Sequence, residues 1–250
     1  MGIGPVLSWN YTSQSVLLNR FKLPLSISFL SGIVYMIFSS SFQIYVFVAI
    51  MGVSFTLSSI LGEFYKSYKK QKKGSNFLHS IGKMFLSNRH KNGGYIVHIG
   101  IVLLFIGFIG RAFEVEKEFS LSPGEQIYFS NYVFKLNSIK SEARDNHYAF
   151  LSEIDVVDSS TNQLLVNLKP EKRIYFYWNS DPEKRQPHSE LDIYSTIQKD
   201  IYSIFSGYDA QKNIGYFKIM INPLVNWVWI GGVLMVIGSL FAFWPSRRNN

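Results

Sequence analysis

The sequence predicts an α-helical integral membrane protein with four transmembrane helices and an inserted, extracytoplasmic, mainly β domain. Three observations predict this fold class. Four apolar stretches reach or approach the roughly 20 residues that a helix needs to cross a hydrocarbon core. Basic residues cluster beside these stretches, and the long polar segment between the third and fourth stretches is rich in aromatic and β-branched residues.

The predicted spans divide the chain into three parts. The apolar stretches are residues 23–38, 42–62, 94–110 and 223–244. The first and third are short, so they would cross with little tilt. The parts are residues 1–112 with the first three spans, residues 113–218 as the β-rich domain, and residues 219–250 with the last span and a basic cytoplasmic tail.

Charge predicts the orientation of the spans. Residues 113–218 carry 12 of the 25 Lys/Arg and 16 of the 17 Asp/Glu, so the rest of the chain is strongly basic and has one acid, Glu63. Eight basic residues and no acid lie between the second and third spans: Lys66, Lys69, Lys70, Lys72, Lys73, Lys83, Arg89 and Lys91. Because positive residues accumulate on the cytoplasmic side, the loop 66–91 and both chain ends are predicted to be cytoplasmic. This charge indicates topology and attraction to anionic membrane lipid, not nucleic-acid binding.

Residues 113–218 are predicted to form a small antiparallel β-sandwich or barrel. Three aromatic and β-branched runs with partial alternation are typical of strands. They are residues 126–139, 147–157 and 173–178. Pro123-Gly124 and Ser159–Asn162 have the composition of turns. The stretch 189–205 is compatible with strand or helix. The chain has no cysteine, so the domain is stabilised without disulfides.

His98 is the candidate functional residue. It is the one histidine predicted inside a span, whereas His79 and His90 are predicted in the cytoplasmic loop and His147 and His188 on the surface of the β domain. An ionisable side chain at membrane depth is costly and is usually kept for a function. An interhelical hydrogen bond is the structural explanation.

The neighbours of His98 on its helix face leave its role open. Gly94, Val102 and Phe105 are small or apolar, which suits a flat macrocycle and ordinary helix packing equally well. Since His98 follows Gly94 by four residues, it would lie about 6 Å into the apolar run, near the cytoplasmic leaflet.

Six short motifs carry a resemblance that single residues do not. They are Gly2-Ile3-Gly4-Pro5 with Trp9, Gly93–Gly100 (GGYIVHIG), Ser122-Pro123-Gly124-Glu125, Pro170-Glu171-Lys172-Arg173, Asp200-Ile201-Tyr202, and Asn222–Val225 with Trp227, Trp229, Ile230 and Gly231. In this order they resemble the C-terminal part of the CcmF family (cytochrome c maturation protein F), the membrane haem lyase component of system I. The resemblance covers essentially the whole chain.

The N-terminal half of that family has no counterpart in this sequence. The family's tryptophan-rich WWD segment is absent, since the five tryptophans are scattered, and so are the two outer-face histidines that flank it. Met1 stands directly before the Gly-Ile-Gly-Pro motif. We therefore expect the product of a split gene, with its other half as a separate polypeptide. The alternative is a fragment of a longer protein.

The resemblance implies a role for His98 as one axial ligand of a buried haem b, shared with the N-terminal CcmF half, which holds the second ligand. It also implies that this haem supplies electrons to a substrate haem brought by the haem chaperone CcmE. The reduced vinyl groups would then form thioethers with the CXXCH thiols of apocytochrome c, alongside a CcmH-type protein. The implied location is the bacterial inner membrane, with residues 113–218 in the periplasm or outside, or an organellar inner membrane.

Two other function classes are open from the sequence. One is a non-catalytic membrane scaffold of the cytochrome c maturation complex, with His98 as a structural residue. The other, half of a transporter, is disfavoured because no predicted span carries an acid pair or a Gly/Pro-broken helix. No catalytic side chain is assigned, and the chain is not expected to be active alone.

Overall fold

The computed structural model describes residues 14–39, 41–71, 89–176 and 187–244. The chain divides into two compact units, Met1–Ala112 with Leu224–Asn250, and Phe113–Pro223. The motif around Gly2, the centre of the predicted loop with His79, and the basic tail lie outside the described residues.

In its described residues the first unit has four helices, and each is long and apolar enough to cross a membrane. They are α1 (Gln14–Phe38), α2 (Ile44–Gln71), α3 (Arg89–Gly110) and α4 (Asn226–Phe243). Together with the β-sandwich of the second unit, they confirm the predicted fold class.

The helices extend beyond the predicted spans at their polar ends. α1 begins at Gln14 and not near residue 23, and α2 continues to Gln71 and not only to residue 62. The reason is that a hydropathy reading marks only the apolar part of a helix, whereas its backbone hydrogen bonds continue into the flanking polar residues. The described ends of the predicted loop are therefore helical, with 66–71 in α2 and 89–91 in α3.

α1 and α2 are adjacent and antiparallel. Ser28 donates a hydrogen bond from Oγ to the carbonyl oxygen of Met51 over 2.8 Å, and the rings of Phe21 and Phe55 pack with centroids 5.7 Å apart. The Ser28 hydroxyl is buried, and hydrocarbon offers it no water, so this bond to the partner helix satisfies a donor that would otherwise be unpaired.

Ten strands form the second unit. They are β1 (Val115–Leu121), β2 (Gln126–Phe129), β3 (Tyr132–Ala143), β4 (His147–Asp158), β5 (Leu164–Leu168), β6 (Glu171–Tyr175), β7 (His188–Glu190), β8 (Asp192–Ser195), β9 (Lys199–Asp209) and β10 (Ile214–Pro223). One sheet has the order β1-β10-β9-β8, and the other has the order β2-β3-β4-β6-β7 with β5 also paired to β4. The pairings are antiparallel, and the strands form two separate sheets, so the domain is a sandwich and not a barrel.

The core of the sandwich is aromatic and draws on both sheets. Phe134 from β3 and Phe205 and Phe217 from β9 and β10 are at most 1% exposed. Phe205 and Phe217 are direct cross-strand partners whose rings stack with centroids 4.9 Å apart. Every second residue of β10 from Gly215 to Ile221 is buried, which is the pattern of a strand with one face on a core.

The strand-rich segments differ from the predicted runs in detail. The run 126–139 is a hairpin, because β2 and β3 are joined through Ser130, whose φ is +55°. The ambiguous stretch 189–205 contains the end of β7, all of β8 and the start of β9, joined by residue 191 and residues 196–198. The structure thus excludes the helical alternative for that stretch.

Both predicted turns are present. Gly124 has φ +93°, a conformation that glycine adopts without steric cost. At the second turn, the Asp158 carboxylate accepts hydrogen bonds from the hydroxyl and backbone N–H of Ser160 and from the N–H of Thr161. These donors, with the Ser160 hydroxyl as the main cause, hold the pKa of Asp158 below its usual value.

The last helix begins later than predicted. The sequence suggests Asn222 and Pro223 as its cap and first turn, but both belong to β10, and α4 starts at Asn226 after Leu224 with φ +63°. β1 pairs with β10 only as far as Ile221, so Pro223 lies where the strand has a neighbour on one side only, as on an edge strand. The strand therefore continues past the predicted domain limit at residue 218.

We expect Phe205→Ala to lower the free energy of opening of the sandwich by about 3–5 kcal/mol, because it removes a fully buried ring and leaves a cavity against Phe217. Amide hydrogen exchange of β9 and β10 in the purified full chain measures this change without interference from the helices. Tyr128→Ala is the control, since that ring is 66% exposed. Equal exchange rates in Phe205→Ala and the wild type would contradict the assigned core.

Candidate functional site

The face of α3 that packs on α4 carries a glycine at every seventh position. Gly93, Gly100 and Gly107 are buried, and Gly231 and Gly238 of α4 have the same spacing and burial. Seven residues are close to two helical turns, so each set lies along one side of its helix. Two small-residue faces therefore meet.

These glycines allow the two backbones to touch. A Cβ atom at Gly100 would lie 2.6 Å from the carbonyl oxygen of Gly231, and one at Gly231 would lie 2.5 Å from the carbonyl oxygen of Gly100. A Cβ at Gly93 would lie 2.7 Å from the backbone nitrogen of Ala242. Real Cβ atoms do not approach so closely, so any side chain here would push the helices apart. Membrane helices use small residues for this kind of close approach.

His98 lies on the opposite side of α3. It precedes Gly100 by two residues, which is about 200° of helical rotation. Tyr95 and Val102 share its face at the i−3 and i+4 positions, and both adjoin α2. The Tyr95 ring packs on Phe64 with centroids 5.0 Å apart, and Val102 lines a cavity together with α2 residues. The histidine is therefore on the α2 side of α3.

The backbone of α3 orients the imidazole of His98. Its Nδ1 is 2.7 Å from the carbonyl oxygen of Gly94, one turn earlier. A carbonyl oxygen only accepts hydrogen bonds, so Nδ1 carries the proton and Nε2 keeps its lone pair. The side chain is half-buried. This is the acceptor that the sequence could not identify, and it leaves Nε2 in the state that binds a metal.

A cavity of about 300 Å³ lies between α2 and α3, beginning one turn after His98. Small or apolar residues line it, among them Ala49 and Gly52 from α2 and Val102 and Phe105 from α3. A Cβ at Gly52 would meet nothing within 4 Å, so the α2 wall is open at this point. Its volume is at the lower end of the range for small-molecule sites, roughly 300–1,000 Å³.

The donor set at this site fits a haem better than a bare metal ion. In the ranges 14–39, 41–71, 89–176 and 187–244, no three His, Cys, Asp or Glu side chains are grouped as ligands of an ion would be. A zinc site needs three or four such ligands, whereas a haem iron takes one or two axial ligands from the protein. One oriented imidazole beside an apolar cavity is compatible with the second case.

His90 belongs to α3 and not to the loop. It occupies the first turn of the helix, is exposed, and packs edge-on against Phe243 of α4 with centroids 6.5 Å apart. It precedes His98 by eight residues, which is about 12 Å along the axis. His90 therefore does not share the site of His98, although the two lie on the same helix.

The prediction that His147 is a surface residue is wrong. Its side chain is 7% exposed, its Nδ1 is 2.6 Å from Oδ1 of Asn146, and its ring packs on Tyr175 with centroids 5.0 Å apart. The reason is its place on β4, whose cross-strand partner at this position is Tyr175. Half-buried His188 also packs edge-on against Tyr175, with ring centroids 5.8 Å apart. Strand pairing thus brings together two histidines that are distant in sequence.

A polar group that no sequence motif indicates lies where α2 and α3 adjoin the predicted loop. Glu63 accepts a hydrogen bond from Lys66 Nζ over 2.9 Å, and Lys91 Nζ approaches its second oxygen at 3.8 Å. The Tyr95 hydroxyl is buried near this pair and has no hydrogen-bond partner among the described residues. The one available signal was Glu63, the only acid outside residues 113–218.

Comparison with known proteins relates the chain to one group. Residues 112–223 match the family described as the CcmF C-terminal beta-sandwich. The chain is 24% identical over 248 residues to the cytochrome c-type biogenesis protein CcmF of Haemophilus influenzae, covering 99% of the chain and 36% of that protein. It is 28% identical over 153 residues to the protein ccl1 of Rhodobacter capsulatus, covering 61% of the chain and 22% of that protein.

The solved structures include the same fold. A structure of the cytochrome c heme lyase CcmF superposes with a TM-score of 0.70 at 18% sequence identity, over 98% of this chain and 37% of that one. The helical spans and the sandwich are thus found together in a known protein. The chain spans little more than a third of the length of these relatives.

We expect Gly100→Leu to lower the free energy of unfolding in detergent by about 1–3 kcal/mol or more. The reason is that the new side chain would clash with the backbone of Gly231. Unfolding by SDS titration, followed by circular dichroism, measures the change. Gly232→Leu adds the same side chain to α4 at a half-buried position where a Cβ meets nothing within 4 Å, and should change stability by less than about 0.5 kcal/mol. Equal effects of the two substitutions would mean that α3 and α4 do not pack through glycine.

Proposed function

Because this chain is a C-terminal region of the CcmF family, we propose that it is a subunit of a CcmF-type cytochrome c haem lyase and supplies one axial ligand of a membrane haem b. The proposed ligand atom is Nε2 of His98. The relatives are named cytochrome c-type biogenesis proteins, and the superposed structure is named a heme lyase. The chain covers only part of each relative, so its share in the activity of the whole protein is a proposal.

The observation that carries the proposal is the hydrogen bond from Nδ1 of His98 to the carbonyl oxygen of Gly94. It fixes the tautomer in which Nε2 is unprotonated, which is the form that binds iron. The bond lies within one helix, so it does not depend on a partner chain. The imidazole is therefore oriented before any cofactor binds.

The residues around His98 would hold the cofactor and exclude water. Ala49 and Gly52 leave room beside α2, and Val102 and Phe105 present apolar surface to a flat ring. A bound haem supplies one-electron transfer, and its potential depends on the axial ligands and the polarity around them. An apolar wall disfavours the more highly charged state of the iron, so these side chains would contribute to that potential.

The second axial ligand is proposed to come from a partner polypeptide, the N-terminal CcmF half. The described part of this chain has no group of three metal-binding side chains, and His98 has no second histidine on its turn of α3. The chain also has no cysteine, so the thioether-forming thiols come from apocytochrome c. A CcmH-type protein and the haem chaperone CcmE complete the proposed assembly. We expect neither tight haem binding nor haem attachment from this chain alone.

A second candidate function is a non-catalytic scaffold of the same assembly. The observation that favours it is the close α3–α4 contact, which would hold a membrane framework together whether or not His98 binds a metal. In this case the Gly94 bond only satisfies a polar side chain at membrane depth. The two functions predict different results for the haem spectrum, because the spectrum depends on His98 only if that residue is a ligand.

The chain is a multi-pass membrane protein, and we propose the bacterial inner membrane or an organellar inner membrane as its place. The proposed orientation has residues 113–223 on the non-cytoplasmic side. It is supported by Arg20 and Lys22 near the start of α1, Lys66 and Lys69 near the end of α2, and Arg89 and Lys91 at the start of α3.

In the assembled complex, His98→Ala should abolish or alter the spectrum of six-coordinate haem b, because it removes the proposed iron ligand. The measurement is a reduced-minus-oxidised absorption spectrum, together with the yield of matured cytochrome c. Added imidazole should partly restore the spectrum, since the cavity beside Gly52 would still accept the ring system.

His90→Ala is the matched control, because it removes an exposed imidazole from the same helix. His188→Ala controls for the β domain and should also be near neutral. His147→Ala is a poorer control than the sequence suggests, since the side chain is buried and its loss affects the local fold. An unchanged spectrum and normal maturation in His98→Ala would favour the scaffold function.

Orientation is testable by cysteine labelling, because the chain has no cysteine of its own. Gln163→Cys, in an exposed turn of the sandwich, should react with a membrane-impermeant maleimide in intact cells. Lys69→Cys, at the exposed end of α2, and a cysteine at Asn250 should react only after lysis. Labelling of Lys69→Cys in intact cells would reverse the proposed orientation.

A further inference from the structure

A second cavity, of about 400 Å³, lies between α1 and α2 at the ends of these helices farthest from their connecting turn. Its lining changes along the helix axes. Arg20, Glu63 and Lys66 lie at the outermost level, and Leu23 and Pro24 lie further into the helix pair. The cavity thus has a charged end and an apolar side. All of its lining residues belong to α1 and α2, so it is separate from the cavity beside His98.

The charged end of this cavity has a positive excess. The Glu63 carboxylate is 12% exposed, accepts a hydrogen bond from Lys66 over 2.9 Å, and has Lys91 Nζ at 3.8 Å from its second oxygen. Its one negative charge is therefore shared by two lysines. Arg20 contributes a third positive charge. Three cations around one carboxylate favour the approach of a further anion.

A buried hydroxyl of the same cavity has no hydrogen-bond partner in the described part of the chain. Ser59 is 2% exposed, and its Oγ forms no hydrogen bond among the described residues. Its neighbour Ser58 instead donates to the carbonyl oxygens of Ser54 and Phe55 on its own helix. An unpaired hydroxyl at membrane depth is unfavourable, since no bulk water is present there. An occupant with an acceptor oxygen would satisfy it.

We propose that this cavity is a binding site for one anionic glycerophospholipid of the cytoplasmic leaflet. The phosphate lies against Arg20 and Lys66, the Ser59 hydroxyl donates to a headgroup or ester oxygen, and the acyl chains follow the apolar side at Leu23. Basic pockets between transmembrane helices on the cytoplasmic side bind anionic headgroups in this way. Leu23 is 66% exposed on the lipid-facing surface of α1, which favours a lipid over a free inorganic anion.

The test compares lipid retention by the full chain in nanodiscs of phosphatidylcholine mixed with phosphatidylglycerol. Native mass spectrometry of the released protein counts the retained lipids of each kind. We expect the wild type to retain one phosphatidylglycerol in preference to phosphatidylcholine. Arg20→Gln with Lys66→Gln should reduce this retention by about tenfold or more, since each basic side chain near the membrane surface adds to the attraction. Equal retention of the two lipids by the wild type would overturn the proposal.

A matched double variant separates the cavity from general surface charge. The variant Lys22→Gln with Lys69→Gln also removes one positive charge from α1 and one from α2. Both lysines are exposed, and neither lines the cavity. Retention should stay within about twofold of the wild type. If this variant loses as much phosphatidylglycerol as the cavity variant, the attraction is diffuse and the proposed site does not exist.

A third variant blocks the cavity without changing any charge. Gly62 lines the cavity and a Cβ there meets nothing within 4 Å, so Gly62→Leu fills the space without a backbone clash. It should reduce phosphatidylglycerol retention about as much as the cavity double variant does. Gly232→Leu, on α4 and outside the cavity, should leave retention unchanged. Normal retention in a folded Gly62→Leu, with folding checked by circular dichroism, would exclude this cavity as the site.

Discussion

The close contact between α3 and α4 is the constraint on which the helical unit depends. Lipid is as apolar as a leucine side chain, so helices in a membrane gain little from the hydrophobic effect when they associate. Dispersion then has to supply the attraction, and it falls steeply when a gap opens between surfaces. Glycines at positions 93, 100 and 107 close that gap by letting backbone touch backbone. They also set the rotation of α3 about its axis, so that His98 lies on the side away from α4 and beside α2.

The two units bury polar groups under different rules, and serine shows the difference. In the sandwich, Ser152 is fully buried on β4 and donates to the carbonyl oxygen of Pro170 over 2.8 Å, within a sheet that is already hydrogen-bonded. In the helical unit, Ser58 donates to carbonyl oxygens of its own helix, whereas Ser28 donates to the carbonyl of Met51 on another helix. Ser59 departs from both patterns. Its buried hydroxyl has no partner among the described residues, and this feature, not a sequence motif, indicates the cavity between α1 and α2.

The sequence predicted the features that depend on composition and failed at those that depend on pairing. Four spans and a strand-rich insertion follow from hydropathy and alternation, and both were correct. The sequence predicts Pro223 in the first turn of a helix, but pairing with β9 places it in a strand. His147 reads as a surface residue, but its burial comes from the pairing of β4 with β6. At the candidate site, the composition of the helix face left the role of His98 open and the family resemblance implied a ligand, whereas the tautomer of its ring depends on a rotamer that brings Nδ1 to the Gly94 carbonyl.

The way in which the sandwich is inserted allows it to be separated from the helices. The first and last strands of the insertion, β1 and β10, are direct neighbours, with Val115 opposite Ile221. α3 and α4, which precede and follow the insertion, are held side by side by their own glycines. Each unit therefore closes its own ends, and neither needs the other to hold its termini together. Residues 113–223 form a cassette that could be excised, expressed as a free-standing water-soluble domain, or exchanged for a short linker between the two helices.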